Sequence, residues 1–470
     1  IISPMSGSKL VFTIFLIIIL SLGGLLGFYF YLNRTNTLDQ APVAGTKPTF
    51  TGFDQVTLDN PQNNKNRVDL GSYTTPTSTV ATSTIVIAKP AEEELLRLIS
   101  AQPVAGHDFI IREVDISTSS TPIGTSSAAI KLAQKNKKLV PMEFIRFILK
   151  ASGNVFETGT SSTSTNDRLT NKTIPKLQEA FFNSKGDGVI IRNVLGNDGI
   201  QTRYLSLKPD QTQGTSTIQN VSTTDLALNI TQMAPSPDKT KLFYTRNTGD
   251  RGTVSNWDGG GKTTLFNSPF REWLPQWMNA GNLLLNTKPS GLTAGYLYNI
   301  DTKTGAVKKV IGGGLGLTSL GSVDGQKILY TTTEDSRLKM NIYDVKESFS
   351  WVLPAETLPE KCVWGNKYKS IVYCSIPKVV SNNHTYPDDW YLGLVHFSDV
   401  IWKMDLTTAR NTVIVDPEKQ ISFPLDITNM KLSKNDDYLT FVDKNTYSLW
   451  GIRLKTPVVA TTTAPIKIKK

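Results

Sequence analysis

The sequence contains few of the side chains that build metal and redox sites. Among 470 residues there are two cysteines, Cys362 and Cys374, and three histidines, His107, His384 and His396. This set is too small for the Cys-rich clusters that hold structural zinc, so we predict no metal centre and no cofactor. The cysteines flank a polar turn between two short strand-like runs. They fit either a disulfide bridge, which an exported compartment permits, or two small buried apolar side chains.

Signatures of common catalytic folds are also missing. The sequence has no GxSxG nucleophile elbow. The glycines of 259–263 lack the first glycine of a phosphate-binding loop, and those of 312–316 lack the third glycine of a dinucleotide fingerprint. We therefore predict no assembled set of catalytic residues, and we favour a non-enzymatic role while leaving activity open.

Basic residues exceed acidic ones but are scattered along the chain. The net charge is +10 and the sequence pI is about 9.3. Short lysine groups occur only at 135–138 and 467–470, and no run combines many basic residues with stacking aromatics. The pattern therefore excludes a typical nucleic-acid-binding surface. It favours a solvated basic surface near lipid head groups.

One long uncharged run lies close to the start of the sequence. Residues 10–32 read LVFTIFLIIILSLGGLLGFYFYL and carry no charged side chain. A helix needs about 20 apolar residues to cross the hydrocarbon core of a bilayer. The run is longer than the apolar part of a cleaved signal peptide, and it ends in aromatic residues that suit the lipid–water interface. We therefore predict an uncleaved transmembrane helix over 10–32, in contact with the lipid bilayer.

The flanks of this helix predict how the protein sits in the membrane. Residues 1–9 form a short tail, whereas the long polar remainder follows Arg34. This asymmetry predicts a single-pass protein of the cell membrane, with the N-terminus in the cytoplasm and the body outside it. Gly23 and Gly27 have the GxxxG spacing that can pack two helices together, but we favour their interpretation as two small lipid-facing residues.

The chain after the anchor divides into three segments. Residues 33–90 are rich in Thr, Pro, Asn and Ser and predict a flexible stalk, because they cannot bury enough apolar surface to offset their ordering entropy. Residues 91–456 contain the regular apolar pattern of a folded body, and 457–470 form a Thr- and Lys-rich tail. At the start of the body, the acids and leucines of 91–99 predict a short helix.

The folded body is built from a repeated pattern. A polar turn precedes a short apolar strand, and a second strand that ends in Asp or Asn follows. The turns are centred on Asp187, Asp238, Ala280, Asp324, Lys367 and Asp436. Successive centres are 51, 42, 44, 43 and 69 residues apart, and four-stranded propeller blades repeat at about 40–50 residues. The 69-residue spacing predicts one blade with an insertion.

These turns resemble those of the TolB-type and WD40-like β-propeller repeats, in which Ser-Pro-Asp-Gly precedes an apolar strand. The closest matches are 236–239 and 323–325. The layout is also similar to that of a group of uncharacterised membrane-anchored propeller proteins of candidate-phylum bacteria. The stretches that carry this similarity are 173–175, the Cys362–Cys374 strand pair and 386–391. The resemblance implies an all-β propeller and carries no known activity.

The repeats predict a ring of seven blades, with six or eight as alternatives. Six blades are evident from the turns, and strands near 104–111, 144–149 and 154–157 supply an earlier one. The last blade is one strand short after Leu454, so an N-terminal strand should close the ring, with 84–88 as one candidate. Trp273 and Trp277 are expected to fill the space between blades.

The insertion at 379–402 is the one local departure from the repeat. Aromatic rings beside carboxylates suit sugar rings or a peptide partner. We predict a binding role for seven of its residues: Tyr386, Asp388, Asp389, Trp390, Tyr391, His396 and Asp399.

The sequence as a whole predicts a membrane-anchored, extracytoplasmic β-propeller. Its expected role is a scaffold that binds a protein or glycan of the cell envelope. The alternative is an envelope glycan hydrolase or lyase with its site in the central funnel.

Overall fold

The computed structural model of the chain describes residues 96–115, 139–161, 163–195, 199–209, 218–246 and 251–454. Within these residues the strands form seven four-stranded antiparallel sheets. At most junctions the first strands of neighbouring sheets contact one another, so the sheets are arranged radially around a central channel. The all-β fold and the seven blades predicted from the repeats are confirmed.

Each blade uses four strands that follow one another in the chain, except the last. The strands of blades 1 to 3 are β2 (Val104–Asp115), β3 (Leu139–Leu149), β4 (Val155–Gly159), β5 (Asp167–Arg168); β6 (Leu177–Phe182), β7 (Gly188–Leu195), β8 (Gly199–Pro209), β9 (Gln219–Asp225); β10 (Ile230–Pro235), β11 (Lys241–Arg246), β12 (Arg251–Asn256) and β13 (Thr263–Asn267). The strands of blades 4 to 6 are β14 (Trp273–Asn279), β15 (Asn282–Thr287), β16 (Ala294–Asp301), β17 (Val307–Leu315); β18 (Thr318–Gly321), β19 (Lys327–Glu334), β20 (Arg337–Asp344), β21 (Phe349–Val352); β22 (Cys362–Trp364), β23 (Ile371–Pro377), β24 (Asp399–Asp405) and β25 (Arg410–Val415).

Blade 7 combines the two ends of the described chain. It contains β26 (Ile427–Leu432), β27 (Tyr438–Asp443) and β28 (Leu449–Arg453), and its outer strand is β1 (Leu96–Ser100). Strand β1 pairs antiparallel with β28, with Leu96 opposite Ile452. An N-terminal strand therefore closes the ring, as predicted. The other candidate for this strand, 84–88, lies outside the described residues.

The helix predicted over 91–99 is wrong in the part that the structure describes. Residues Leu96–Ser100 are a strand in which Leu96 and Ile99 are buried and Leu98 is exposed. The backbone of β28 would otherwise be an open sheet edge, and pairing with it outweighs a weak local helix preference.

The repeated turns explain how the sequence directs the inner hairpins of blades 3 and 5. In blade 3 the Ser236 hydroxyl donates to Asp238 and accepts the backbone N–H of Lys241 at 2.9 Å. Blade 5 repeats these bonds with Ser322. Gly325 has φ 76°, a left-handed conformation that favours glycine. The serine and aspartate thus satisfy the backbone of a tight reversal, which positions the second strand against the first.

The antiparallel strands give the disc two different faces. The face that carries the turns between first and second strands is called here the turn face. The opposite face, called the loop face, carries the connections between blades and those between second and third strands. The core lies between neighbouring blades, where one cluster joins Leu329 of blade 5 to Trp364 of blade 6. Trp273 and Trp277 belong to such a cluster between blades 3 and 4.

The predicted transmembrane helix at 10–32 lies outside the described residues and stays a prediction, together with the stalk, the tails and the spacing of Gly23 and Gly27. Among the helices of the described chain, none has the length and apolar character needed to span a bilayer.

The inner strands approach so closely that glycine is required at one position. A Cβ on Gly106 of β2 would lie 2.1 Å from the carbonyl oxygen of Ala180 in β6. We expect Gly106→Ala to lower the free energy of unfolding by about 1–3 kcal/mol, because the neighbouring blade must shift. The matched control is Gly199→Ala, whose Cβ would have its nearest neighbour at 3.7 Å. Chemical denaturation measures both variants, and equal stability would contradict the close packing.

Candidate functional site

The insertion of blade 6 lies on the loop face. Residues 378–398 connect β23 to β24 and contain a short helix, α1 (Asp388–Tyr391). Each of its four residues makes a side-chain hydrogen bond to a different partner. Asp388 accepts the N–H of Gly291 in blade 4 at 2.6 Å, and Asp389 accepts that of Thr385 at 3.0 Å.

The other two residues of α1 reach the connections beside blade 6. The indole N–H of Trp390 donates to Asp426 at 3.0 Å, immediately before β26. The Tyr391 hydroxyl donates to Glu360 in the connection before β22. The Thr333 hydroxyl of blade 5 also donates to the carbonyl of Tyr386 at 2.8 Å. The insertion is therefore fixed to blades 4, 5, 6 and 7 by hydrogen bonds.

The predicted aromatic platform is mostly packed inside the insertion. Tyr386 is fully buried, and its ring stacks on Phe397 with centroids 6.0 Å apart. Trp390 is also buried, and its ring stacks on Phe397 with centroids 6.4 Å apart. Tyr391 is the exception, because 40% of it is exposed. Of the predicted aromatic side chains, Tyr391 is thus the one presented to solvent.

A buried ion cluster holds the insertion against blade 7. The 3-10 helix η1 (Pro359–Lys361) carries Lys361, whose side chain is fully buried. Its ammonium lies 2.7 Å from Asp399 and 2.6 Å from Asp426, and it donates to the carbonyl of Ile427 at 2.9 Å. Burial raises the pKa of Asp399 to about 6 even though the Lys361 charge opposes that shift. Asp399 therefore has a structural partner that the sequence did not reveal.

The remaining predicted residues do not converge on a metal or catalytic group. His396 is exposed, and the Nδ1 atom of His384 lies 3.1 Å from Asp389. In the part of the chain that the structure describes, no three His, Cys, Asp or Glu side chains are grouped to hold a metal ion. Cys362 and Cys374 face each other in β22 and β23 and are joined as a disulfide.

A cavity opens at the loop-face end of the central channel. Its volume is about 640 Å³, within the range of about 300–1,000 Å³ that is usual for ligand sites. Inner strands of blades 3 and 4 form one side, and Glu360 and Tyr391 form the other. The lining residues are Thr231, Gln232, Arg271, Glu272, Trp273, Leu274, Lys288, Pro289, Glu360 and Tyr391. This cavity is called the channel mouth below.

The channel mouth combines apolar surface with charges of both signs. Lys288 and Glu272 form an exposed ion pair at 3.1 Å, and Arg271 is exposed beside them. Burial raises the pKa of Glu360, while hydrogen bonds with Tyr391 and Thr318 oppose that shift. Burial and then the Glu360 charge raise the pKa of Tyr391 well above its usual value. The sequence analysis did not identify the segments that contain Glu360, Arg271 and Lys288 as parts of a binding site.

A second charged cluster crosses the channel nearer the turn face. Asp108 of blade 1 lies 2.6 Å from the ammonium of Lys239 in blade 3 and 3.3 Å from that of Lys431 in blade 7. Burial favours a raised pKa for Asp108, but the two lysines together lower it below its usual value. Because these contacts join three separate blades, they fix the width of the channel below the mouth.

Comparisons with known proteins agree on the fold. No protein-family model and no curated protein matches the sequence. Among solved structures, the chain is similar to oligogalacturonate lyase in complex with manganese, with 10% identity and a TM-score of 0.44 over 66% of this chain and 85% of the other. It is also similar to TolB from Acinetobacter baumannii, with 13% identity and a TM-score of 0.37 over 56% and 59%.

A third similar structure is the tricorn protease, with 10% identity and a TM-score of 0.43 over 66% of this chain. The match spans only 32% of that protease. At these levels of identity the likeness shows the fold alone. A TolB protein is thus among the similar structures, in line with the resemblance that the turns predicted.

The raised pKa of Asp399 predicts how stability changes with pH. Its folded-state value of about 6 exceeds the usual 3.8, so the folded protein holds this proton more tightly than the unfolded chain. The stabilisation that this proton gives the folded protein is therefore complete below the pKa of Asp399 in the unfolded chain. It is lost as the pH rises through the pKa of Asp399 in the folded protein. Relative to Asp399→Asn, we expect the wild-type free energy of unfolding to fall by up to about 3 kcal/mol between about pH 4 and pH 7.

Denaturation of the two proteins at matched pH values measures this difference. Asn retains an oxygen for the N–H of Ile427, which donates to Asp399 at 2.6 Å, so the variant removes the titration with little change in shape. A difference that stays constant, or that grows in favour of the wild type as pH rises, would contradict the assigned environment.

Proposed function

We propose that the protein is a membrane-anchored, extracytoplasmic propeller that binds a glycan of the cell envelope in the channel mouth. The observation that carries the proposal is the cavity of about 640 Å³ in which Tyr391 meets Glu360, opposite Arg271 and Lys288. The membrane anchor rests on the apolar run 10–32.

The chemistry of the lining favours sugars over purely apolar ligands. Tyr391 offers a ring for the apolar face of a sugar and a hydroxyl for its edge. Glu272 can accept hydrogen bonds from sugar hydroxyls, while Arg271 and Lys288 can pair with an acidic substituent. A tightly held insertion supports binding, because less side-chain and loop freedom is lost when the ligand enters.

The same geometry changes which residues a binding test should alter. Asp388, Asp389 and Trp390 hold the insertion in place, so their substitution would disturb the loop as well as any ligand. Tyr391 contacts the cavity directly and is partly exposed. It is therefore the predicted residue that best separates ligand binding from folding.

One observation favours the second candidate function, a glycan hydrolase or lyase. Glu360 is a buried carboxyl with a raised pKa beside a tyrosine hydroxyl, and such groups serve as proton donors and acceptors in catalysis. Turnover of envelope glycans by the purified protein would favour this candidate over the scaffold.

We expect Tyr391→Ala to weaken glycan binding by at least about tenfold, because the ring and the hydroxyl are both lost. The wild type is first screened on an array of muropeptides and of neutral and acidic oligosaccharides, and the strongest hit is then measured by calorimetry. The matched control is Tyr368→Ala, since Tyr368 is similarly exposed at 44% but lies on the turn face.

Three results would decide the proposal. Weaker binding by Tyr391→Ala with unchanged binding by Tyr368→Ala supports it. Equal affinity of both variants, or the absence of any hit on the array, contradicts it. Conversion of the bound glycan to shorter products contradicts a purely binding role and supports the glycan hydrolase or lyase.

A further inference from the structure

The most exposed apolar side chains of the described chain lie on one face of the disc. Among the described residues, six large apolar side chains are at least 60% exposed. All six belong to connections of the loop face: Leu228, Phe270, Leu292, Val379, Leu392 and Leu394. Because exposed apolar groups concentrated on one face of a protein mark an interaction surface, the loop face is where we look for a further ligand or partner.

Four of these side chains border the channel mouth. They are called the apolar rim below: Phe270, Leu292, Leu392 and Leu394. On the side of blade 4, the ring of Phe270 lies edge to face with Trp273, a mouth residue, with centroids 5.8 Å apart. On the side of the insertion, Leu392 and Leu394 directly follow Tyr391, which also lines the mouth.

The connection between β15 and β16, which carries Leu292, joins the two sides of the rim. The N–H of Gly291 donates to Asp388 of α1 at 2.6 Å. A Cβ on Gly291 would lie 2.5 Å from the carbonyl oxygen of Tyr386, so this connection packs closely against the insertion. The same connection supplies Lys288 to the mouth. The apolar rim and the channel mouth are therefore parts of one surface.

Two cations are found where the rim meets the mouth. Arg271 directly follows Phe270, and Lys288 belongs to the connection that carries Leu292. Lys288 forms its exposed pair with Glu272, whereas no acid of the described chain is paired with Arg271. A guanidinium that has no acidic partner and lies beside apolar side chains is suited to bind a phosphate.

The order of mouth, cations and rim matches the order of groups in a glycan that is linked to a membrane lipid. Such a molecule has sugars at one end, an anionic phosphate in the middle and an apolar chain at the other end. The mouth offers partners for the sugars, Arg271 and Lys288 for the phosphate, and the rim for the lipid. A water-soluble glycan would leave the rim uncovered. A protein partner would need a surface complementary in shape to these separate side chains, whereas fluid lipid accepts them in any arrangement.

We propose that the ligand of the channel mouth is a glycan joined through phosphate to a membrane lipid, and that the apolar rim docks on the bilayer that holds this lipid. The inference rests on the proposed function, because the sugars enter the mouth. It adds the class of the ligand and the surface on which the loop face rests.

The path of the chain allows the loop face to reach a bilayer. Strand β1 begins at Leu96, which pairs with Ile452 near the end of β28, and this end lies on the turn face. Residues 33–95 separate the predicted transmembrane helix from β1, and a chain of that length spans up to roughly 200 Å when extended. The loop face can therefore turn toward the membrane that holds the predicted helix.

The test uses the full chain, one copy in each phosphatidylcholine nanodisc, together with a spin-labelled lipid. The native cysteines are joined in a disulfide, so a fluorophore can be attached at one introduced cysteine. Thr293→Cys places it beside the rim, and Val323→Cys is the matched control on the turn face. The probe is a disaccharide muropeptide joined through diphosphate to a polyprenyl lipid. We expect this probe to increase quenching at position 293 at least about twofold and to leave position 323 unchanged, because the rim is drawn to the lipid surface.

A variant of the rim measures its contribution. We expect Leu392→Ser combined with Leu394→Ser to remove at least about half of the increase at position 293, because serine gains nothing from transfer into lipid. The matched control is Val352→Ser, since Val352 is a 55% exposed side chain of the outer strand β21. This control should retain the full increase.

The possible results separate the rim from the mouth. Calorimetry with the same muropeptide diphosphate without its lipid measures the mouth alone. Binding of this head group without increased quenching at position 293 overturns docking of the rim and leaves the proposed function intact. Failure of the head group to bind overturns the inference, and the glycan array then decides the proposed function separately.

Three further results would also overturn docking of the rim on a lipid-linked glycan. The first is an equal increase at positions 293 and 323, or an increase that the double serine variant retains. The second is full quenching at position 293 in discs that lack the probe, since the glycan is then not needed. The third is excimer formation between pyrene labels at position 293 in discs with two copies, which would show that a second copy covers the rim.

Discussion

The pairing of β1 with β28 is the constraint on which the rest of the structure depends. A radial array of seven sheets has no covering layer, so blade 7 must lie directly between blades 6 and 1. Strand β1 completes blade 7 and continues at once into β2 of blade 1, which links the two ends of the ring through the chain itself. The same junction sets the face on which the chain enters the disc. It also sets the circle of inner strands that surrounds the mouth.

Within this ring, the buried Lys361 gives the loop face its local order. A fully buried ammonium is costly unless its charge is matched, and here two aspartates and a backbone carbonyl surround it. Because Asp426 also accepts the N–H of Trp390, the connection before blade 7 and the insertion of blade 6 are held by one cluster. The cluster places α1 so that Tyr391 reaches Glu360 at the mouth. The electrostatics of the interior thereby determine the shape of the candidate site.

The fold could be predicted from the sequence because its signals are local and repeated. Turns such as 236–239 satisfy their own backbone through serine and aspartate, and related polar turns recur at nearly regular spacing along the chain. The site could be predicted only in part. Tyr391 was identified from its loop, but Glu360 and Lys361 lie in an ordinary connection, and their partners are distant in the chain. Strand β1 was misjudged as a helix for a similar reason, since its conformation is decided by an edge that lies about 350 residues away.

Hydrogen exchange measured by mass spectrometry tests the closure most directly. If β1 is the outer strand of blade 7, amides in Leu96–Ser100 that bond to β28 should exchange as slowly as those of the outer strands β17 and β25. Fast exchange in Leu96–Ser100, with slow exchange retained in the other blades, would contradict a ring closed by this strand. It would also remove the basis for the entry side of the chain and the geometry of the mouth.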